Sequence, residues 1–307
     1  MEDVCAIVVH HNSVQSLQPT LHALVNSGLS AESILVVDNS SSETAALDAA
    51  ALCGSDFRYL RTDNRGYAAA VNRGLTFLND EELNRQFVLV STHESIAESG
   101  AVRALRDCMS DDPGIAVAGP TLMNAELEDD RVWSLGGKLT RFLKLPRHFV
   151  DDNFSENAAP VDRDWLDGAF TLYRTSVLRE IALEESYFLY FEETDLHTRL
   201  KRSRHRVVWV PSARVSQRSS GIPPRLLGRN LFLFNARLFS RNRGRAAVVF
   251  ELARFIAKAM IQRNSGFTDV ISIYKGWRRA EAQLRNSAEL DDEGRVTLRP
   301  RAEGTDA

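Results

Sequence analysis

Cysteine is scarce. The 307 residues include three, Cys5, Cys53 and Cys108, far apart and with no CxxC pair. They read as small buried or incidental residues, not as metal ligands or a disulfide framework, and they suit a reducing compartment. Long apolar runs are also missing. No stretch reaches about 18 uncharged apolar residues, so none is expected to cross a bilayer. The opening MEDVCAIVV is acidic and enters a strand at once, unlike a secretory signal; a cytoplasmic location is expected. Neither charge is in large excess: 38 Lys/Arg stand against 41 Asp/Glu, a net charge of −3. Such a chain is not expected to coat nucleic acid. No repeat recurs, and no GxGxxG follows the first strand, where His10-His11-Asn12-Ser13 stands instead. That counts against an ordinary dinucleotide-binding domain, whose first turn needs glycines.

What is present is ordinary for a globular protein: 44% hydrophobic and 26% charged residues. The length suits one large α/β domain with or without a helical appendage. A continuous apolar run at Val4–Val9 and segments at Ile34–Val37, Phe87–Val90 and Ile115–Ala118 predict strands, with a short strand near Arg58–Leu60. Helical spacing at Ser16–Ser27, Ala45–Leu52, Tyr67–Leu78 and Ala101–Met109 alternates with them. This alternation predicts a parallel sheet with helices on both faces. Residues 120–164 are irregular. Beyond them a strand is expected over Trp165–Tyr173, helices over Thr175–Ile181 and Glu192–Lys201, and a strand over Val207–Val210 closed by Pro211.

Polar residues collect where strands end, which is where open α/β sheets hold ligands. The second strand ends in VVDNS; Asp38 either accepts from a base N–H or ribose hydroxyl, or turns the chain. In DNRGYAAAVNRG, residues 63–74, Gly66 opens a slim helix and Asn64, Arg65, Asn72 and Arg73 bring donors. Either a ligand or the sheet lies against it. In YFLYFEETDLHTRL, residues 187–200, Glu192, Glu193 and Asp195 sit near a helix start behind aromatic residues. They either complement the helix dipole or provide a general base, whose pKa apolar walls and a neighbouring acid would raise.

From Arg225 to Arg279 a dozen Lys/Arg face two acids, interleaved with Phe, Leu, Ile and Trp. In AVVFELARFIAKAM the charged and apolar residues fall on opposite helical faces. The region is either a helical domain packed on the sheet or a surface that docks on an anionic membrane face. The expected division is 1–224 for the α/β domain, 225–284 for a basic amphipathic helical region and 285–307 for a flexible tail.

Strand-HHN, VVDNS, NRGYAAAVNRG, VSTHES, WLDGAF, FLYFEETDL, VPSARVSQ and RN, in this order from about Val4 to Asn230, resemble the inverting glycosyltransferases of family 2. Within them the set is most similar to rhamnosyltransferases. The resemblance implies a GT-A (nucleotide-diphospho-sugar transferase) fold with a mainly parallel central sheet, flanked by helices and followed by a C-terminal helical extension. It also implies a nucleoside-diphosphate sugar donor, dTDP- or UDP-linked. Contacts to that donor would fall on His11, Asp38, Asn64 and Asn72. Gly66 would keep the loop open near the diphosphate, and Trp165, Asp167 and Gly168 would lie beside the donor sugar and acceptor. In the family's acidic pair the second acid is the base, so Glu193 takes that role after Glu192, one methylene longer than the family's Asp. Arg229-Asn230 matches an Arg-Asn pair that follows the site.

The same resemblance puts the metal ligands on Glu94 and Gln217, and both depart from the family's pattern. Mg²⁺ or Mn²⁺ held there is one expectation. A metal-free site with Arg218, Arg225 or Arg229 facing the diphosphate is the second, and a donor-binding protein without turnover the third. His93 reads as a turn residue before a ligand. The implied function is transfer of a sugar, rhamnose first, to a glycan or polyprenyl-linked acceptor in cell-surface polysaccharide synthesis, at the cytoplasmic membrane face. Another sugar such as galactofuranose, or an inactive nucleotide-sugar-binding protein, are the alternatives.

Overall fold

The structure is a computed structural model and describes residues 1–125, 131–218, 221–262, 267–290 and 296–298. The chain divides into two compact units, Met1–Leu139 with Pro146–Ser220, and Thr140–Leu145 with Gly221–Ala307.

The first unit is built on β1 (Val4–His10), β2 (Ile34–Asp38), β3 (Arg58–Arg61), β4 (Phe87–Thr92), β5 (Ser95–Ala97), β6 (Ile115–Asn124), β7 (Val132–Ser134), β8 (Gly137–Leu139), β9 (Pro146–His148), β10 (Val161–Asp162), β11 (Phe170–Arg174) and β12 (Arg206–Gln217). Its helices are α1 (Val14–Asn26), α2 (Glu43–Cys53), α3 (Tyr67–Asp80), α4 (Ala101–Asp111), α5 (Thr175–Glu180) and α6 (Glu192–Arg202). The main sheet runs β10-β12-β6-β11-β4-β1-β2-β3. β3, β2, β1 and β4 pair in parallel, and the apolar runs of β1, β2 and β4 suit strands buried on both faces. β11 then enters antiparallel between β4 and β6, which makes the sheet mixed.

Strand periodicity sorts the core. Val4, Ala6 and Val8 of β1 point to one face with Leu17, Leu21, Leu24, Val102 and Leu105. Cys5, Ile7 and Val9 point to the other with Tyr67, Val71, Leu75, Leu196 and Leu200. Cys5 and Cys53 are buried free thiols, and burial pushes each up to about 11.

Two expected strands change extent. The segment expected over Trp165–Tyr173 is a strand only from Phe170; residues 165–169 form a loop instead. The strand expected to stop at Pro211 continues to Gln217. The pairing of β12 with β6 shifts register between Trp209 and Arg214, so Pro211 sits at an irregularity where no ladder N–H is required. The turn after β4 holds a further surprise. Instead of passing directly to a helix, Ser95–Ala97 forms β5 and pairs with β12, Gln217 opposite Ser95.

The second unit packs α7 (Pro224–Leu238) against α8 (Arg241–Gln262) and α9 (Phe267–Ser287). α7 and α9 touch backbone to backbone. A Cβ at Gly228 would lie 2.1 Å from the Ile273 carbonyl oxygen, and one at Gly276 would lie 2.0 Å from that of Arg225. The units part near Ser220 rather than at 224, and the short 140–145 segment belongs with the helices. Of the tail expected over 285–307, α9 takes residues to Ser287, and 288–290 pair with 296–298; the rest lies outside the described residues.

Candidate active site

Parallel pairing puts the C-terminal ends of β1, β2, β3 and β4 along one edge. Register then aligns His10 with Asp38 and Asp38 with Arg61. Asp38 is fully buried and its carboxylate is saturated. Oδ1 accepts from His10 Nδ1 at 3.0 Å, from the Ser40 amide at 2.9 Å and from the Ser40 hydroxyl. Oδ2 accepts from Tyr59 at 2.7 Å and Arg61 at 3.1 Å. The Ser13 amide donates to His10 Nε2, so the ring proton sits on Nδ1, toward the carboxylate. Burial alone would raise Asp38, but the bonds from His10, Ser40 and Tyr59 outweigh it and hold the carboxyl far below its usual range. In this arrangement Asp38 organises the turn at the end of β2.

Beside this network lies a polar surface cavity of about 390 Å³, lined by Ser40, Ser41, Arg61, Thr62, Asp63 and Asn64. Asn64 Oδ1 accepts from the Gly66 amide at 3.2 Å. Asn39 Oδ1 is buried without a partner. His11 Nδ1 bonds the Asn39 carbonyl at 3.0 Å. Asn72, expected at the donor, is instead a clamp: its amide bonds both backbone groups of Leu183 and Glu185 Oε1. Gly66 is needed for another reason than a diphosphate. Its φ is +101° and a Cβ would lie 2.1 Å from the Phe188 carbonyl oxygen, which accepts from the Tyr67 amide.

That contact ties the first half of the site to the second. Phe188, Tyr190 and Phe191 all have positive φ, of 70°, 67° and 75°, a strained turn of the kind that clusters at functional sites. It ends on α6, whose first residues are Glu192 and Glu193. Glu192 is buried and its Oε2 has no partner. Glu193 keeps some exposure and accepts from Thr194 Oγ1 at 3.0 Å. Burial, then the charge of Glu193, drives Glu192 well above the usual carboxyl range. Burial likewise pushes Glu193 up to about 7. Asp195 is structural, bonded by Tyr187 and Arg199.

The 165–169 loop forms the facing wall. A Cβ at Gly168 would touch Glu193 Cβ at 3.4 Å. The Gly168 carbonyl accepts from Tyr67 at 2.7 Å, and the Ala169 carbonyl accepts from the Thr92 amide and the Ser95 hydroxyl. The ends of β4 and α6 therefore meet across one loop. Burial raises the Tyr190 phenol, as do the charges of Glu192, Glu94 and Glu193 around it. Trp165, expected beside the sugar, is buried in protein: its ring covers Gly137 and meets His148 edge-on at 4.7 Å. Asp167 is bound by Ser134 Oγ and by His148 Nε2 at 2.8 Å.

His93 is a turn residue. Its Nδ1–H donates to the Val9 carbonyl, and burial and His10 lower it to about 4. Glu94 is 38% exposed, and the Gln217 partner strand puts an orphaned, buried Oε1 one residue along from it. Among the described residues no three His, Cys, Asp or Glu side chains form a metal-holding group. The fit to Mg²⁺ or Mn²⁺ is therefore partial: two oxygen donors that a diphosphate would have to complete. Arg218 follows Gln217 and is exposed. Arg225 and Arg229 are in the second unit, where Arg229 bonds Asn230.

The family model described as glycosyl transferase family 2 matches residues 5–155. Over that stretch the chain is similar to that family. A similar protein of Mycobacterium tuberculosis (strain H37Rv), an N-acetylglucosaminyl-diphospho-decaprenol L-rhamnosyltransferase, is 28% identical over 204 residues, 60% of this chain and 65% of that protein. The low-salt glycan biosynthesis hexosyltransferase Agl10 of Haloferax volcanii is 27% identical over 206 residues, 66% of this chain and 62% of that protein. The chain thus spans a little under two thirds of the length of these relatives. Among solved structures, GalNAc-T7 with UDP, GalNAc and Mn²⁺ is similar with a TM-score of 0.58 and 14% identity, over 76% of this chain and 49% of that one. The mannosyltransferase PcManGT of Pyrobaculum calidifontis, in complex with GDP-Man and Mn²⁺, has a TM-score of 0.54 and 12% identity over 92% and 87%. The first unit has the GT-A fold that the motif order implied.

Sequence reasoning missed His10, Tyr59, Arg61, Ser134 and His148. His10 and Arg61 carry a readable signal, since each is the last residue of a strand on the ligand edge. His148 carries none: it lies in the irregular 120–164 region.

Proposed function

We propose that this family 2 protein is an inverting glycosyltransferase that moves a hexose from a nucleoside-diphosphate donor to an acceptor hydroxyl. The cavity at Ser40–Ser41 and Arg61–Asn64 receives the nucleoside, with His11 at its rim. Glu193 takes the proton of the acceptor hydroxyl as that oxygen bonds to the anomeric carbon. The bond from that carbon to the diphosphate breaks, its electron pair leaves with the phosphate oxygen, and the configuration inverts. The observation that carries this reading is Glu193 itself. It is the more accessible member of a buried acid pair, pushed up to about 7, near the optimum for a base at neutral pH.

Glu94 and Gln217 are the residues that would hold Mg²⁺ or Mn²⁺, which would neutralise charge on the departing diphosphate; Arg218 follows Gln217 in sequence. The activity of the mycobacterial relative favours rhamnose and a polyprenyl-diphosphate-linked glycan acceptor, in cell-surface polysaccharide synthesis. The hexosyltransferase relative favours another hexose, galactofuranose among them. Thermal shift against dTDP- and UDP-sugars, with and without Mn²⁺, separates the two. Glu193→Gln is expected to abolish transfer, a loss of at least about 100-fold for a positioned base, with donor affinity within twofold. Wild-type turnover in that variant would remove the assignment.

The second unit supports a peripheral membrane position. No helix among the described residues is long and apolar enough to cross a membrane. α8 nevertheless exposes Val249, Phe250, Ile256, Met260 (70%) and Ile261 (81%), and α9 exposes Phe267, Ile271 and Tyr274. Lys258, Lys275 and Arg279 lie exposed on the same helices, while Glu251 and Glu281 are buried under arginines. Exposed apolar side chains together with exposed cations on these helices fit an anionic lipid surface.

A further inference from the structure

His148, on β9, bonds Asp167 through Nε2 at 2.8 Å, and Asp167 also accepts from Ser134. Asp167 directly precedes Gly168, where an added Cβ would lie 3.4 Å from Glu193 Cβ. The 165–168 loop is thus pinned from one side by Ser134 and His148 and from the other by Tyr67. His148 is itself held between two indoles, Trp133 at 5.5 Å and Trp165 at 4.7 Å, and remains 38% exposed. Three acids, Asp167, Glu192 and Glu193, come together here.

We propose that His148 is a positioning residue for the transfer reaction: protonated and bonded to Asp167, it fixes the loop against Glu193 and offsets the buried negative charge beside it.

The groups facing Glu193 agree. From α6 come Glu192 and the Thr194 hydroxyl; from the loop, Asp167; from β9, His148. From α3, β11 and the 190 turn come the phenols of Tyr67, Tyr173 and Tyr190, each raised first by burial. Asp167 pushes Glu193 up and His148 draws it down. Reciprocally, burial works against protonated His148, but the bond and charge of Asp167 and the charge of Glu193 hold it above its ordinary value. Without the imidazole, Asp167 would act on Glu193 uncompensated. Glu193 would then keep its proton to higher pH, and a base must have lost it to work.

The inference rests on Glu193 being the base, so the test separates the two. The pH dependence of kcat/KM for donor turnover would be compared in the full chain for wild type, His148→Gln, Asp167→Asn and the double variant. In His148→Gln the acid limb should move to higher pH by about half a unit to one unit, a three- to tenfold loss on the limb with recovery above it. Adding Asp167→Asn should return the limb toward wild type. Histidine NMR should show the His148 titration falling in Asp167→Asn alone, a readout independent of activity. An unmoved limb, or a uniform drop at every pH, overturns the proposal while leaving Glu193 as the base. Should His148→Gln not fold, the NMR titration decides alone. Turnover by Glu193→Gln would instead sink the base assignment underneath it.

Discussion

Two carboxyls at strand and helix ends have opposite fates, and their surroundings explain why. Asp38 is buried among donors, so burial is outweighed and the charge is kept. Glu193 is buried among apolar walls and other acids, so its charge is resisted. A stability prediction follows from the second case. The folded chain holds the Glu193 proton to about pH 7, whereas an unfolded glutamate releases it near 4.5. Between those values the folded state binds more protons, so stability falls as pH rises through the window. The full effect is at most about 3 kcal/mol, reduced by the contact Glu193 keeps with solvent. Glu193→Gln should therefore raise Tm by a few degrees at pH 8 and leave it unchanged at pH 4. A Tm difference independent of pH would contradict this origin.

At the level of elements, glycines mark where backbones meet. The turn at Phe188 closes on Gly66, which has both a positive φ and no room for a Cβ. Gly66→Ala should cost at least about 2 kcal/mol in urea unfolding and weaken donor binding as well, because the 188–191 turn carries Glu193. A variant with full stability would show that the turn adapts freely. The pairing of β5 with β12 has a comparable role, since it alone brings Gln217 level with the turn that carries Glu94. Much of this level was readable in advance. Apolar runs and helical spacing located the strands and helices through Ala118, because local periodicity follows from which faces are buried. The β5 strand and the continuation past Pro211 were not readable. Both depend on partners far away in the chain, and a three-residue strand has no period of its own.

For the whole molecule, the division into an α/β unit and a helical unit sets a test of location. Full-length protein should sediment with anionic phosphatidylglycerol vesicles and lose most of that binding above about 0.5 M salt, where charges are screened. Met260→Ser with Ile261→Ser should reduce it several-fold. Salt-independent binding, or none, would remove the membrane reading, and an oligomer dissolved by the same substitutions would assign the face to a second copy of the chain.

The motif order by itself determined the fold class, because that rests on residue types at fixed positions along single segments. Only tertiary structure decided which polar residues are already bonded within the protein. Asp38, Asn72 and Trp165 have the chemistry of a donor site, yet each is consumed by contacts with distant residues: Tyr59, Leu183 and Gly137. His148 has no motif at all and reaches Glu193 through Asp167. A side chain's chemistry is local, but whether its hydrogen bonds are already satisfied depends on neighbours that only folding brings together.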